Sequence, residues 1–223
     1  MHSKASHFKL THDKEKTDLV KFPSHDPFKL KSDHEIWQAF KGGNESAFIH
    51  IYNSCYDSLV QYGINFSMDR ELIRDCIQDL FIELREKRSK IGITDCIKPY
   101  LFVIFRRKIN RYLKLKARIS KIQIEKVQDK FEFELSFEQK LINKQLNGEQ
   151  IQQLNQAISK LTNQEREIIF LFFYEGYTYP QISDILGYTK VKTARSLLYK
   201  ALSALRKTLE TSSVGHLYTL LLF

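Results

Sequence analysis

Residues 161–207, LTNQEREIIFLFFYEGYTYPQISDILGYTKVKTARSLLYKALSALRK, spell three short helices, each set off by its own cap. Thr162 with Glu165 makes a Thr-x-x-Glu capping box ahead of the apolar run 168–173, and Gly176 supplies a left-handed stop. Thr178 with Gln181 repeats the device, Pro180 is harmless in a first turn, and Gly187 ends the second helix. Thr189 opens the third. Its apolar stripe is Ala194, Leu197, Leu198, Ala201, Leu202 and Leu205, spaced i, i+3, i+4, i+7, i+8, i+11. Two helices joined by a tight glycine-containing turn, the second with a basic outer face, form a helix-turn-helix, so duplex DNA is the expected partner here.

Upstream, residues 1–31 are rich in Lys, His and Ser, carry Pro23 and Pro27, and show no period; they read as a flexible arm. Order is expected from residue 32, where Ser32 and Glu35 box a short helix carrying Ile36, Trp37 and Phe40, stopped by Gly42-Gly43. A longer helix presents Phe48, Ile51, Tyr52, Cys55, Leu59 and Tyr62 on one face. Asp69 caps a third, with the stripe Leu72, Ile73, Cys76, Ile77, Leu80, Phe81 and Leu84. Pro99 sits in the first turn of a fourth, which runs to about residue 116. With no alternating strand pattern, the expected fold is all-α: a four-helix domain over 32–116 and a helix-turn-helix domain over 149–210. The linker between them is 117–148, and 211–223 is an apolar tail that would dock on its own protein or on a partner.

The 223 residues suffice for two small cores. Lys and Arg number 35 against 26 Asp and Glu, a net charge of +9 that suits a polyanionic partner without requiring one. Cys55, Cys76 and Cys96 are odd in number, widely spaced and beside apolar stretches; buried, reduced thiols in a cytoplasmic protein are expected. His2, His7, His12, His25 and His34 lack carboxylate or thiol partners at ligand spacing, so neither a metal site nor another cofactor is expected. No signal peptide and no apolar run long enough to span a bilayer is seen. Phosphate-binding loops, nucleophile elbows and His-Glu-x-x-His are absent as well, which argues against an enzyme.

Three constellations remain. Residues 98–118 hold Lys98, Arg106, Arg107, Lys108, Arg111, Lys114, Lys116 and Arg118 without a single acid, and interleave Tyr100, Phe102, Phe105 and Tyr112. Cationic tracks with aromatics hold single strands by stacking, at about 1–3 kcal/mol per base. Phe105 and Tyr112 fit the core, and the arginine cluster fits nucleic acid. Residues 69–86 are instead acidic; such a face repels phosphate and suits a protein partner, with Ile82 as an apolar anchor off the core stripe. On the last helix, Lys192, Thr193, Ser196, Tyr199 and Lys200 turn away from the stripe, with Lys190, Lys200 and Arg195 placed for phosphates.

Taken together, these stretches resemble one family. LTNQEREIIFLFFYEGYTYPQISDILGY (161–188) resembles a stretch of domain four of the sigma-70 family, and DCIQDLFIELRE (75–86) resembles its D-L-V-Q-E-V-F-L-R-L-W-E. IWQAFKGGNESAFIHIYNSCYDSL (36–59) and KPYLFVIFRRKINRYLK (98–114) are similar to parts of its domain two. With two domains and a short linker, the chain resembles the extracytoplasmic-function (ECF) subgroup. Arg85 stands in place of the usual Trp, Arg107 and Arg111 in place of Asn and Asp, and the turn before the recognition helix is one residue longer.

The resemblance implies a transcription initiation factor. Asp75, Gln78, Asp79, Ile82 and Glu83 would dock on the β′ clamp of core RNA polymerase. Lys98, Tyr100, Phe102, Arg106, Arg107, Lys108, Asn110, Arg111 and Lys114, with the loop 89–98, would hold the melted −10 strand of promoter DNA. Lys190, Lys192, Thr193, Arg195, Ser196, Tyr199 and Lys200 would read the −35 element, and this domain would touch the β flap. An anti-sigma factor is a further partner that the resemblance admits. The alternative is a helix-turn-helix regulator with an N-terminal sensing or dimerisation domain, which leaves residues 98–118 idle.

Overall fold

The computed structural model describes residues 26–119, 131–133 and 148–210, and all regular structure among them is helical. Most of the expected arm (1–25), most of the linker (120–130 and 134–147) and the apolar tail lie outside the described residues. The first unit holds α1 (Asp33–Lys41), α2 (Glu45–Ile64), α3 (Arg70–Glu86) and α4 (Ile97–Ile119). The second holds α5 (Gly148–Ser159), α6 (Asn163–Ile169), α7 (Tyr179–Leu186) and α8 (Val191–Glu210). All-α architecture in two helical units is therefore what the chain adopts.

Local chemistry sets most boundaries. At α1, Glu35 Oε2 accepts the Ser32 N–H at 3.0 Å, while the Glu35 N–H donates to the Ser32 hydroxyl at 3.3 Å. Asp69 Oδ1 accepts the Leu72 N–H at 3.1 Å and starts α3. Thr162 and Glu165 close the same reciprocal box at α6. Gly187 ends α7 at φ +76°, a conformation that side chains with a Cβ rarely adopt.

Three boundaries are drawn more closely than in the sequence reading. α4 begins at Ile97, because Asp33 of α1 accepts the Ile97 N–H at 2.7 Å, a cap supplied from another helix. α8 begins at Val191 and not at Thr189, with the Thr193 N–H returning to the Lys190 carbonyl at 2.9 Å. Past Ile169, the apolar run winds as a π-helical turn, Phe170–Tyr174, before the chain turns into α7.

The first unit closes around Trp37, Phe40, Ile51, Leu59, Ile73, Ile77, Leu80, Leu101, Phe105 and Ile109, all essentially without solvent contact. Of the α3 stripe, Ile73, Cys76, Ile77, Leu80, Phe81 and Leu84 are buried. On α8, Ala194, Leu198, Ala201 and Leu205 are buried, while Leu197 and Leu202 lie half-buried against them. The two units share one apolar cluster, with Phe131 and Phe133 inserted between them.

Cys55 and Cys76 are buried, and burial pushes their thiols up to about 11 and about 12. Cys96, expected to be buried, is exposed. It lies in the polar turn before α4, where its N–H donates to the Thr94 hydroxyl at 3.2 Å, outside the apolar stripe of that helix.

At Gly63, α2 comes close against α3 and α4. A Cβ there would lie 2.7 Å from Ile73 Cγ2 and 3.0 Å from Phe105 Cζ. Ala in place of a helical Gly ordinarily stabilises by about 1 kcal/mol. Overpacking a closed core costs about 1–3 kcal/mol, so the steric effect outweighs propensity. Gly63→Ala should therefore lower stability, and a thermal melt should show the midpoint falling by roughly 2–4 °C per kcal/mol lost.

Candidate nucleic-acid interface

α7 and α8 meet across the Gly187 turn, and the apolar stripe of α8 faces inward. That packing leaves Lys190, Lys192, Thr193, Arg195, Ser196, Tyr199 and Lys200 all exposed. Two of them have neighbours within the same unit. The Arg195 guanidinium lies 5.2 Å from the Tyr179 ring, and Lys200 Nζ is 3.2 Å from Glu165. Burial alone would raise the Glu165 pKa, but hydrogen bonds from Thr162 and Lys200 outweigh it and hold the carboxyl below its usual value. Lys200 still keeps most of its side chain in water, so the pair leaves this face exposed.

The residues of α4 divide into three groups. Arg107 and Arg111 are exposed; with Arg106, Asn110, Lys114, Leu115 and Arg118 they line an open groove along the helix. Tyr100 stands edge-on to Trp37 at 5.2 Å, and Lys108 Nζ meets Glu83 Oε2 of α3 at 2.6 Å. Lys98, Phe102 and Arg106 turn toward the second unit. Phe102 is fully buried and stacks on Tyr62 with ring centres 4.8 Å apart, so it offers no face to a base in this arrangement. Lys98 Nζ lies 2.8 Å from Glu175. Arg106 donates from Nε and Nη2 to the two carboxylate oxygens of Glu167 at 2.7 and 2.9 Å.

The loop before α4 is fastened to α1. Trp37 Nε1 donates to the Gly92 carbonyl at 2.9 Å, and Lys41 Nζ donates to the Ile91 carbonyl at 2.6 Å. Next to it, Asp95 meets His34 at 2.6 Å.

On α3, Asp75, Gln78, Asp79 and Ile82 are exposed and Glu83 is half-buried, one continuous acidic face around an apolar side chain that is 47% exposed. This face borders α4. Lys108 and Lys87 donate to Glu83 and hold its carboxyl down at about 2, while the Tyr112 hydroxyl donates to Asp79 and is itself pushed up to about 12. Lys116 of α4 reaches Asp69 at 2.5 Å.

Sequence reading missed the residues at the junction of the two units. Glu167, 2% exposed, accepts the Tyr62 hydroxyl at 2.5 Å as well as Arg106. Burial first, and the Glu167 charge next, raise the Tyr62 pKa well above a normal phenol, so it remains a donor. Phe131, Phe133 and Glu175 complete this junction. Their partners are dozens of residues away, and no local pattern marks them. Among the described residues no group of His, Cys, Asp and Glu is placed to hold a metal, and no helix is long and apolar enough to cross a membrane.

Residues 151–205 match the family model described as Sigma-70, region 4. No curated protein sequence matches the chain. Among solved structures, it is similar to CnrH, seen in complex with the cytosolic domain of CnrY: TM-score 0.54, 20% identity, covering 81% of this chain and 99% of that one. It is also similar to the sigma factor RpoE from Bartonella quintana, seen in complex with the anti-sigma factor NepR: TM-score 0.53, 20% identity, covering 73% of this chain and 96% of that one. At such identities the likeness concerns the fold, while the region 4 match rests on sequence and takes in α6, α7 and the exposed basic face of α8. Residues 151–205 therefore carry a segment like Sigma-70 region 4, within a two-unit helical fold similar to those of CnrH and RpoE.

Proposed function

We propose that this chain is a transcription initiation factor that carries core RNA polymerase to promoters and reads them at two points. The observation that carries this reading is the outward face of α8, where seven side chains lie in solvent behind a helix-turn-helix and residues 188–207 hold six basic residues and no acid. The N-terminal members of that face would meet base edges of a −35 element, and Lys190, Arg195 and Lys200 would meet phosphates. The groove along Arg107, Asn110, Arg111 and Lys114 would track the backbone of the melted −10 strand. The acidic face of α3 would dock on the β′ clamp, with Ile82 as its apolar anchor. The second unit would also touch the β flap.

The chain itself would perform no chemistry, which belongs to the polymerase, and it would work in the cytoplasm where polymerase and DNA are found. The complex of the similar RpoE with NepR supports an anti-sigma factor as a further partner. A ligand-sensing helix-turn-helix regulator would use α8 in the same way but would give the α3 face and the α4 groove no role.

Three outcomes follow. Asp75→Lys with Asp79→Lys should weaken co-elution with core polymerase by tenfold or more (roughly 1.4 kcal/mol), since like charges facing each other cost several kcal/mol; undiminished co-elution would leave the regulator reading standing. Arg107→Ala with Arg111→Ala should flatten the salt dependence of single-strand binding by roughly 0.7 in log–log slope per lost phosphate contact, and promoter opening should suffer more than duplex binding. Lys192→Ala should relax preference at one −35 base pair by about 1–3 kcal/mol in a binding scan, whereas an equal loss at every sequence would mark it as a phosphate contact.

A further inference from the structure

We propose that Tyr179 is a positioning residue for duplex recognition: its ring presets the Arg195 guanidinium for a phosphate while taking none of its N–H donors. The inference rests on the −35 role given to α8 above, with Arg195 as one of its phosphate contacts. Arg195 is exposed, and its guanidinium carbon lies 5.2 Å from the centre of the Tyr179 ring. That is inside the roughly 6 Å over which a ring face attracts a cation. Lys200, on the same helix, is held differently, by the Glu165 carboxylate at 3.2 Å. A carboxylate occupies donors that a phosphate would need. A ring face steers the guanidinium and leaves its five N–H groups for a ligand.

The ring that does the steering is itself fixed. Tyr179 is the first residue of α7, directly behind the Thr178 cap, where Gln181 Oε1 accepts both the N–H and the hydroxyl of Thr178 at 2.9 Å. Pro180 follows and restricts the backbone of that turn. Phe172, in the π-helical turn, stacks on the Tyr179 ring with centres 5.4 Å apart and planes 29° apart. Contacts therefore run from the π-helical turn through Tyr179 to the outer face of α8. An arginine free in water gives up rotamers when it meets a phosphate, and its planar fork must align two N–H groups with two oxygens at once. Resting on a fixed ring, Arg195 has given up part of that freedom on folding. Tyr179 thus serves binding from the helix that lies behind the recognition helix.

The test uses the full chain and a mixed-sequence duplex of about 20 base pairs, because phosphate contacts are independent of sequence. Arg195→Ala should weaken binding and flatten its log–log salt slope by about 0.9. Tyr179→Leu should weaken binding about three- to tenfold with the slope unchanged, since the charge stays. Tyr179→Phe keeps the ring and should bind as the unaltered chain does. In the Arg195→Ala background, Tyr179→Leu should cost nothing further, because the ring then has no cation to hold. Equal losses in both backgrounds overturn the proposal, since the ring would then act only through the packing of α7. A Tyr179→Phe chain as weak as Tyr179→Leu overturns it by making the hydroxyl a direct contact, and so does a Tyr179→Leu chain that binds undiminished. Should Tyr179→Leu fail to fold, the unaltered chain decides by NMR. The Tyr179 ring current should move the Arg195 δ protons upfield of those of the exposed Arg107, and coincident positions overturn the proposal. An Arg195→Ala chain with unchanged affinity and slope would instead remove Arg195 from the −35 reading, and the role of Tyr179 with it.

Discussion

A carboxylate withdrawn from water is tolerated only where charge and hydrogen bonds surround it, and Glu167 meets that condition with groups from the other unit. Arg106 supplies the opposite charge and Tyr62 a hydroxyl, both from helices far away in sequence. Removing one partner from such a buried pair costs about 3–5 kcal/mol, because the remaining charge is stranded. The fork of Arg106 onto both oxygens also fixes direction, since only one rotation of α6 against α4 satisfies it. The rings of Phe102, Phe131, Phe133 and Phe170 then fill the space around the pair and keep water out. This polar site, the rings around it and the Lys98–Glu175 pair together hold the two units in place.

A different kind of contact joins α3 to α4. Glu83 with Lys108, Asp79 with Tyr112 and Asp69 with Lys116 form a ladder along the seam between an acidic and a basic helix. These contacts are partly or largely in solvent, and pairs of this kind contribute about 0.2–1 kcal/mol each. The apolar seam below them, through Ile73, Cys76, Ile77 and Leu80, holds the helices together. What the ladder does is place two faces of opposite charge side by side without mutual neutralisation of either outer edge: Asp75 on one side and Arg111 on the other stay exposed.

The parts of this molecule legible in sequence are those whose cause is local. A capping box occupies four residues, so Ser32 with Glu35 and Thr162 with Glu165 could be read directly. Helical periodicity located the buried stripes of α3 and α8 and, by subtraction, the open faces of both. Pro99 marked the first turn of α4, but its first residue could not be read, because the cap comes from Asp33, which lies on another helix. Lys98, Phe102 and Arg106 look in sequence like Arg107 and Arg111, and only the second unit distinguishes them. Phe131 and Phe133 sit in a stretch without a period, so nothing nearby marks them as buried. Cys96 was misjudged for the opposite reason: apolar neighbours suggested a core position, but the turn around Thr94 carries it outside.

The loop ahead of α4 has its carbonyls at Ile91 and Gly92 bound by Lys41 and Trp37, and the helix that follows it is capped by Asp33. All three donors and acceptors belong to α1 or its first turn. The segment is therefore preorganised: its conformational entropy is lost when the chain folds and not when a ligand arrives. Whatever settles on this shelf meets a surface already in shape and spends none of its binding energy on ordering it.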